Sequence, residues 1–197
     1  MRKINKIIKL TIILLDLIGL VLIINKKIDC TLIKWLLLTI SVILPNILRS
    51  MKISIKDNLE LLYLILIFLS FTLGRIYNLY DTIKWYNTLV HFISGKLTFI
   101  FGLILLKMLK KYDKKITFNI IFGILVTITL ATIWELTEFG IDKLLNKDMQ
   151  DVIKSGVDDT MKDIIVAIIS SILAVLSYIY ENKKNKKGLI TIIIADK

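Results

Sequence analysis

The sequence predicts an all-α fold: a multi-pass transmembrane helical bundle of about six spans, with both termini in the cytoplasm. Three observations lead there. The 197 residues are 56% hydrophobic with a mean hydropathy of +0.74, against about 45–50% apolar residues in a soluble domain. Apolar windows of about twenty residues, the length that crosses a bilayer, recur between short charged stretches. Lys and Arg are divided unequally between alternate connections, the pattern that sets orientation in a membrane.

The spans fall at roughly 7–24, 32–48, 58–74, 86–107, 116–138 and 160–180. The first follows the basic stretch MRKINKIIKL, as a signal peptide would. Its apolar run continues to Ile24 with no A-x-A-like cleavage site after it, so it reads as an uncleaved span. Pro45 sits near the inner end of the second span, where a kink or an ending is tolerated. One Pro and eight Gly in the whole chain leave turn chemistry scarce. No internal repeat or linker divides the sequence. Residues 1–182 therefore read as one transmembrane domain and residues 183–197 as a basic cytoplasmic tail. The tail's apolar run, Leu189 to Ile194, is too short to cross a bilayer and is left either disordered or lying on the membrane.

Orientation follows from counting Lys and Arg. The N-terminus carries four, the connection after the second span three, that after the fourth five and the tail five, which makes seventeen on one side. The other side holds seven: Lys26, Lys27, Arg75, Lys84, Lys143, Lys147 and Lys154. Cytoplasmic loops carry the excess, so both termini are placed in the cytoplasm and the chain in the cell (plasma) membrane. The same distribution accounts for the net charge of +11. The basic clusters lie between apolar runs with no nucleic-acid motif beside them, so the expected partner is the lipid bilayer and not a nucleic acid. Cys30 is the single cysteine; it excludes an intramolecular disulfide and reads as a packing residue.

This topology gathers titratable groups at one depth. The fourth span runs inward from Tyr86, so His91, the only histidine, lies one to two turns below the outer surface at about 1.5 Å per residue. The fifth span runs outward and ends on Glu135, Glu138 and Asp142, which share one helical face by their i, i+3, i+7 spacing. The sixth begins outside with Asp158, Asp159 and Asp163. On the fourth span Asn87, His91, Gly95, Thr98 and Gly102 make a stripe of small and polar residues; on the sixth, Asp159 and Asp163 stand above Ser170, Ala174 and Ser177. Such stripes are where membrane helices approach closely, so the acids are expected to point into the bundle.

An ionised group in hydrocarbon is costly unless paired or hydrated. The cluster therefore calls for a water-filled pocket, a bound cation or shared protons. One imidazole with several carboxylates favours a Zn, Mn or Mg type of divalent cation, with His91, Glu135, Asp159 and Asp163 as candidate ligands. His91, Glu135, Glu138, Asp159 and Asp163 are the candidate catalytic residues. A single histidine excludes an H-E-x-x-H site, and no G-x-S-x-G, P-loop or dinucleotide fingerprint is present. Asp16 and Lys96 also fall near mid-span; a pairing across the first and fourth helices would account for both.

The segments NTLVHFISG, WELTEFGID and DDTMKDIIVAIIS together resemble the YjdF-like family of uncharacterised bacterial integral membrane proteins, with a fainter likeness to VanZ-like proteins. The family pattern has D-x-x-x-H followed by Gly, then E-x-x-E, then D-T-x-x-D. This chain supplies His91 and Gly95, Glu135 and Glu138, and Asp159, Thr160 and Asp163. It departs with Asn87 in place of an acid, and with Ala167 and Ser170 where Asn and Gly are common. The likeness covers residues 80–180. It implies an architecture and a site and leaves the reaction open.

Three functions fit these residues. One is an enzyme at the outer leaflet, with Glu135 or Asp163 as base or metal ligand, acting on a lipid or lipid-linked substrate. Another is a non-catalytic structural or envelope accessory protein whose polar cluster holds the helices together. The third, a proton- or cation-coupled carrier, is disfavoured because the inner halves of spans four to six hold few ionisable residues and the sequence shows no pair of broken helices of the kind carriers use.

Overall fold

The computed structural model describes residues 1–28, 30–52, 55–113, 116–146, 148–150, 152–184 and 187–195. Of the lysines counted for orientation, Lys114, Lys115, Lys147, Lys186 and Lys197 lie outside the described residues, as does the side chain of Lys154. Among the described residues the regular secondary structure is all helical: α1 (Arg2–Ile24), α2 (Leu32–Ser50), α3 (Asp57–Ile67) with a π-helical continuation over Phe68–Ile76, α4 (Leu79–Thr82), α5 (Tyr86–Met108), α6 (Ile116–Leu145), α7 (Val152–Ser155), α8 (Asp158–Lys183) and α9 (Leu189–Ala195). Six of these segments are long and apolar enough to span a membrane: α1, α2, α3 with its continuation, α5, α6 and α8. Each sequence-derived span lies inside one of them.

The distribution of side chains is inverted relative to a water-soluble bundle. Exposed positions include Leu10, Leu14, Leu17 and Val21 on α1, and Ile165, Ile169 and Leu176 on α8. Buried positions include Asn5, Asp16, Glu60, Asn119, Glu135 and Asp163. In hydrocarbon the apolar face needs no shelter, and polar groups turn inward because lipid cannot hydrogen-bond them. This is a multi-pass membrane protein.

The chain forms two compact units, residues 1–90 and His91–Ala195. In the first, α1 packs on α2 and α3 around Ile12, Val42, Leu64 and Ile67. A polar network joins one end of these helices. Glu60 is 2% exposed and accepts from Lys9 Nζ at 2.6 Å, Arg49 at 2.9 Å and Asn5 Nδ2 at 3.1 Å. Arg49 also reaches Asp57 at 3.3 Å. Pro45 does not end α2, which runs on to Ser50. Its missing N–H leaves the carbonyl of Ser41 without a helical donor, and the Tyr63 hydroxyl fills that place at 2.7 Å. An unsatisfied carbonyl would be costly in lipid, so Tyr63 is what makes the proline tolerable.

In the second unit α6 packs along α8, and α9 folds back on α8. The tail's apolar run is thus an ordered helix burying Ile190, Ile193 and Ile194. The Glu181 carboxylate accepts from the backbone N–H of Ile190 at 3.3 Å and of Thr191 at 2.8 Å, and Lys107 Nζ donates to the Ile194 carbonyl at 3.1 Å. Both ends of α9 are therefore held by side chains of opposite charge, in the sense the helix dipole favours.

With few glycines, the helices stop on other residues. Lys26 (φ 54°) and Lys110 (φ 57°) adopt the left-handed conformation after α1 and α5. The following N–H groups, of Lys27 and Lys111, close back to Leu22 at 2.8 Å and Leu106 at 2.9 Å, the bonding of a Schellman stop.

Candidate functional site

The second unit opens with His91 on α5. His91 lies in the second turn of α5, Glu135 two thirds of the way along α6 and Asp163 in the second turn of α8. Close approach of α5 and α8 is set by Gly95: a Cβ placed there would meet the Ala167 carbonyl oxygen at 2.2 Å and the Ala167 Cα at 2.8 Å. Ser170 Oγ bonds the Phe92 carbonyl one turn further on. The α5 stripe then divides. His91 and Gly95 face α8, while Thr98 bonds Thr127 of α6 at 3.2 Å and Gly102 lies against Gly123 of α6. On α8 the stripe runs through Asp163, Ala167, Ser170 and Ala174 to Tyr178; Ser177, expected on that face, is exposed. Three or four residues separate successive members, and Ser177 falls on the lipid side of the turn.

His91, Glu135 and Asp163 converge. One ligand atom from each lies within 4.8 Å of the others, and the residues are 6%, 4% and 1% exposed. His91 Nε2 stands 3.4 Å from Asp163 Oδ2. Oε1 of Glu135 is buried with no hydrogen-bond partner among the described residues, where an acceptor aimed at protein or water is the rule. An imidazole nitrogen and two carboxylates suit a borderline or hard divalent ion. Their two negative charges would balance its two positive ones, which matters in a medium that does not solvate net charge.

The remaining sequence candidates lie around this group with other contacts. Glu138 is buried and accepts from Trp134 Nε1 at 3.1 Å. Asp159 pairs with Lys162 at 3.1 Å and is not part of the three-residue group. Asp158 is exposed in the first turn of α8, where the helix dipole favours an acid. Asp142 accepts from the backbone N–H of Met149 at 2.7 Å and of Gln150 at 3.1 Å, so it folds the connection after α6. That fold delivers a residue the sequence reasoning missed. Gln150 is buried, and its Nε2 donates to the Glu135 carbonyl at 3.3 Å and to Thr160 Oγ1 at 2.9 Å, bracing α6 against α8 beside the carboxylates. Nothing local in the sequence marks it; only the Asp142 turn brings it in. Lys96 holds its amine over the Phe92 ring, 4.5 Å from the centroid, and Asp16 accepts from Thr72 Oγ1 at 2.9 Å, so each has a contact within its own unit.

An uncharacterised protein of Thermotoga maritima is 31% identical over 100 residues, a match that takes in half of this chain and half the length of that relative. No solved structure matches. The family model of the predicted membrane proteins DUF2238 matches from residue 7 to residue 184, and the chain belongs to that family.

Proposed function

We propose that the chain is a membrane-embedded, metal-dependent enzyme whose His91–Glu135–Asp163 group binds one divalent cation and acts on a lipid or lipid-linked substrate. The observation that carries this reading is the convergence of three buried ligand atoms within 4.8 Å. Three protein ligands leave coordination positions open, as catalytic rather than structural sites do. A cation there would polarise a substrate oxygen or a bound water. Glu138, one turn from Glu135, and Asp159, one turn from Asp163, are the nearest acids to serve as proton carriers. The Lys and Arg bias favours cytoplasmic termini in the plasma membrane, which would put the group near the outer face and within reach of outer-leaflet headgroups. The YjdF-like resemblance, with its fainter VanZ-like component, supports the same residues as the site and adds no reaction.

The test is metal analysis of the purified protein beside His91→Ala. About one divalent ion per chain in the wild type and none in the variant is the expected result. Absence of metal from both would overturn the proposal. A second reading rests on the 3.4 Å His91–Asp163 contact: the group fastens α5 to α8 without chemistry. It predicts loss of thermal stability in His91→Ala, Glu135→Gln and Asp163→Asn alike, with no bound metal in any of them.

A further inference from the structure

The first unit holds a second buried carboxylate of a different kind. Asp16 is fully buried in the middle of α1. Thr72, in the π-helical continuation of α3, donates to its Oδ1 at 2.9 Å. Thr39 of α2 brings its hydroxyl up to the same carboxylate. Asp16 Oδ2 and Thr39 Oγ1 are both buried and lack hydrogen-bond partners among the described residues. The surrounding turn is held rigidly: Trp35 Nε1 donates to the Asp16 carbonyl at 2.7 Å and the Tyr77 hydroxyl to the Leu15 carbonyl at 2.8 Å.

The same unit shows what a compensated carboxylate looks like. Glu60 is met by Lys9, Arg49 and Asn5, whereas Asp16 makes no ion pair among the described residues. Its hydrogen-bond donor among the described residues is the Thr72 hydroxyl. A lone anion at this depth costs several kcal/mol, and a single positive charge cancels it where a divalent ion would leave a surplus. The Thr72 and Thr39 hydroxyls that face it offer oxygens, the ligands of hard cations. One of them comes from a π-helical stretch, a winding often found at functional sites.

We propose that Asp16, Thr39 and Thr72 form an intramembrane binding site for one monovalent hard cation of the sodium type. The carboxylate supplies the charge, and the two hydroxyls, from α2 and from the π-helical segment, supply neutral oxygen ligands. Binding ties three helices of the first unit to one ion. The site shares no residue with the His91 group and stands or falls independently of it.

The experiment is thermal unfolding of the full-length chain in detergent at fixed pH and ionic strength, with sodium chloride replacing choline chloride. The wild type is expected to gain Tm saturably with sodium, as mass action requires of a ligand bound only by the folded state. Asp16→Asn removes the charge but keeps the shape, and its Tm should not respond. Thr39→Val keeps the charge and removes one ligand; its half-saturating sodium concentration should rise about tenfold or more. It also serves if Asp16→Asn fails to fold. A wild-type Tm indifferent to sodium, or an equal sodium response in the wild type and in the variants, overturns the proposal. An indifferent wild type whose Tm instead follows pH overturns it in favour of a proton held by Asp16, with Tyr77 the titratable neighbour to separate by Tyr77→Phe.

Discussion

Gly95→Ala and Gly140→Ala make the same chemical change within two transmembrane helices and have opposite expected outcomes. A Cβ on Gly95 would stand 2.2 Å from the Ala167 carbonyl oxygen and 2.8 Å from the Ala167 Cα, whereas ordinary contact begins at 3.4 Å. Both atoms belong to backbone, so no side chain can rotate away. α5 and α8 must separate by roughly 1 Å. Overpacking of this kind costs about 1–3 kcal/mol, and a rigid backbone contact places Gly95→Ala at the upper end. At about 2–4 °C per kcal/mol for a chain of this size, Tm falls by about 6–12 °C. A Cβ on Gly140 meets nothing within 4 Å. There the alanine gains up to about 1 kcal/mol of helix propensity, and Tm holds or rises by about 2–4 °C. The separation at Gly95 also reaches the triad, because His91 and Asp163 each lie one turn from the contact. Their 3.4 Å approach would open, and bound metal should fall with it. The assay is paired thermal unfolding and metal stoichiometry on the two purified variants. A Gly95→Ala protein that melts within about 1 °C of wild type and keeps its metal would refute the close-approach argument.

Two other substitutions probe contacts far from the triad. Glu60→Ala removes the buried acceptor shared by the half-buried Lys9 and Arg49, which keep Asn46 and Asp57; breaking a fully buried pair costs about 3–5 kcal/mol, so Tm should drop by up to about 6–20 °C, and a drop no larger than that of a lipid-facing control such as Leu14→Ala would contradict the network's role. Glu181→Ala removes the acceptor that holds the start of α9, worth about 0.5–2 kcal/mol. It should free the tail for tryptic cleavage at Lys183, Lys184 and Lys187 while barely moving the main unfolding transition, and an unchanged cleavage rate would count against docking.

The spans were legible because about twenty apolar residues per crossing is a requirement of the solvent, independent of tertiary detail. The triad was legible for a related reason. Once the helices alternate in direction, His91, Glu135 and Asp163 must fall at one end, and the Gly95 stripe shows which faces meet. Helical period alone could not divide labour along a shared face: Glu135, Glu138 and Asp142 are spaced alike, yet one joins the triad, one meets Trp134 and one folds a loop. Glu60 was missed because an acid near a span end looks like an interfacial residue until Lys9 and Arg49 are brought to it from other helices. Gln150 and the docking of α9 depend on chain reversals that leave no periodic trace. Ser177 misled for a simpler reason, since small size does not fix which side of a helix a residue occupies.

The helix stops carry a consequence of their own. At Lys26 and Lys110 the left-handed turn is made by a residue with a long charged side chain instead of glycine, so the residue that reverses the chain also contributes to the charge balance across the bilayer. Glycine at either place would relieve about 1 kcal/mol of backbone strain and at the same time delete a positive charge from its connection. Stability and insertion are thereby written in the same letters. Glycine at Lys110 takes a charge from the Lys- and Arg-rich side and weakens the orientation signal, whereas at Lys26, on the sparser side, it sharpens that signal; Lys26→Gln and Lys110→Gln, which drop the charge and keep the strained turn, compared with the two glycine variants, would separate the ease of the turn from the charge it carries.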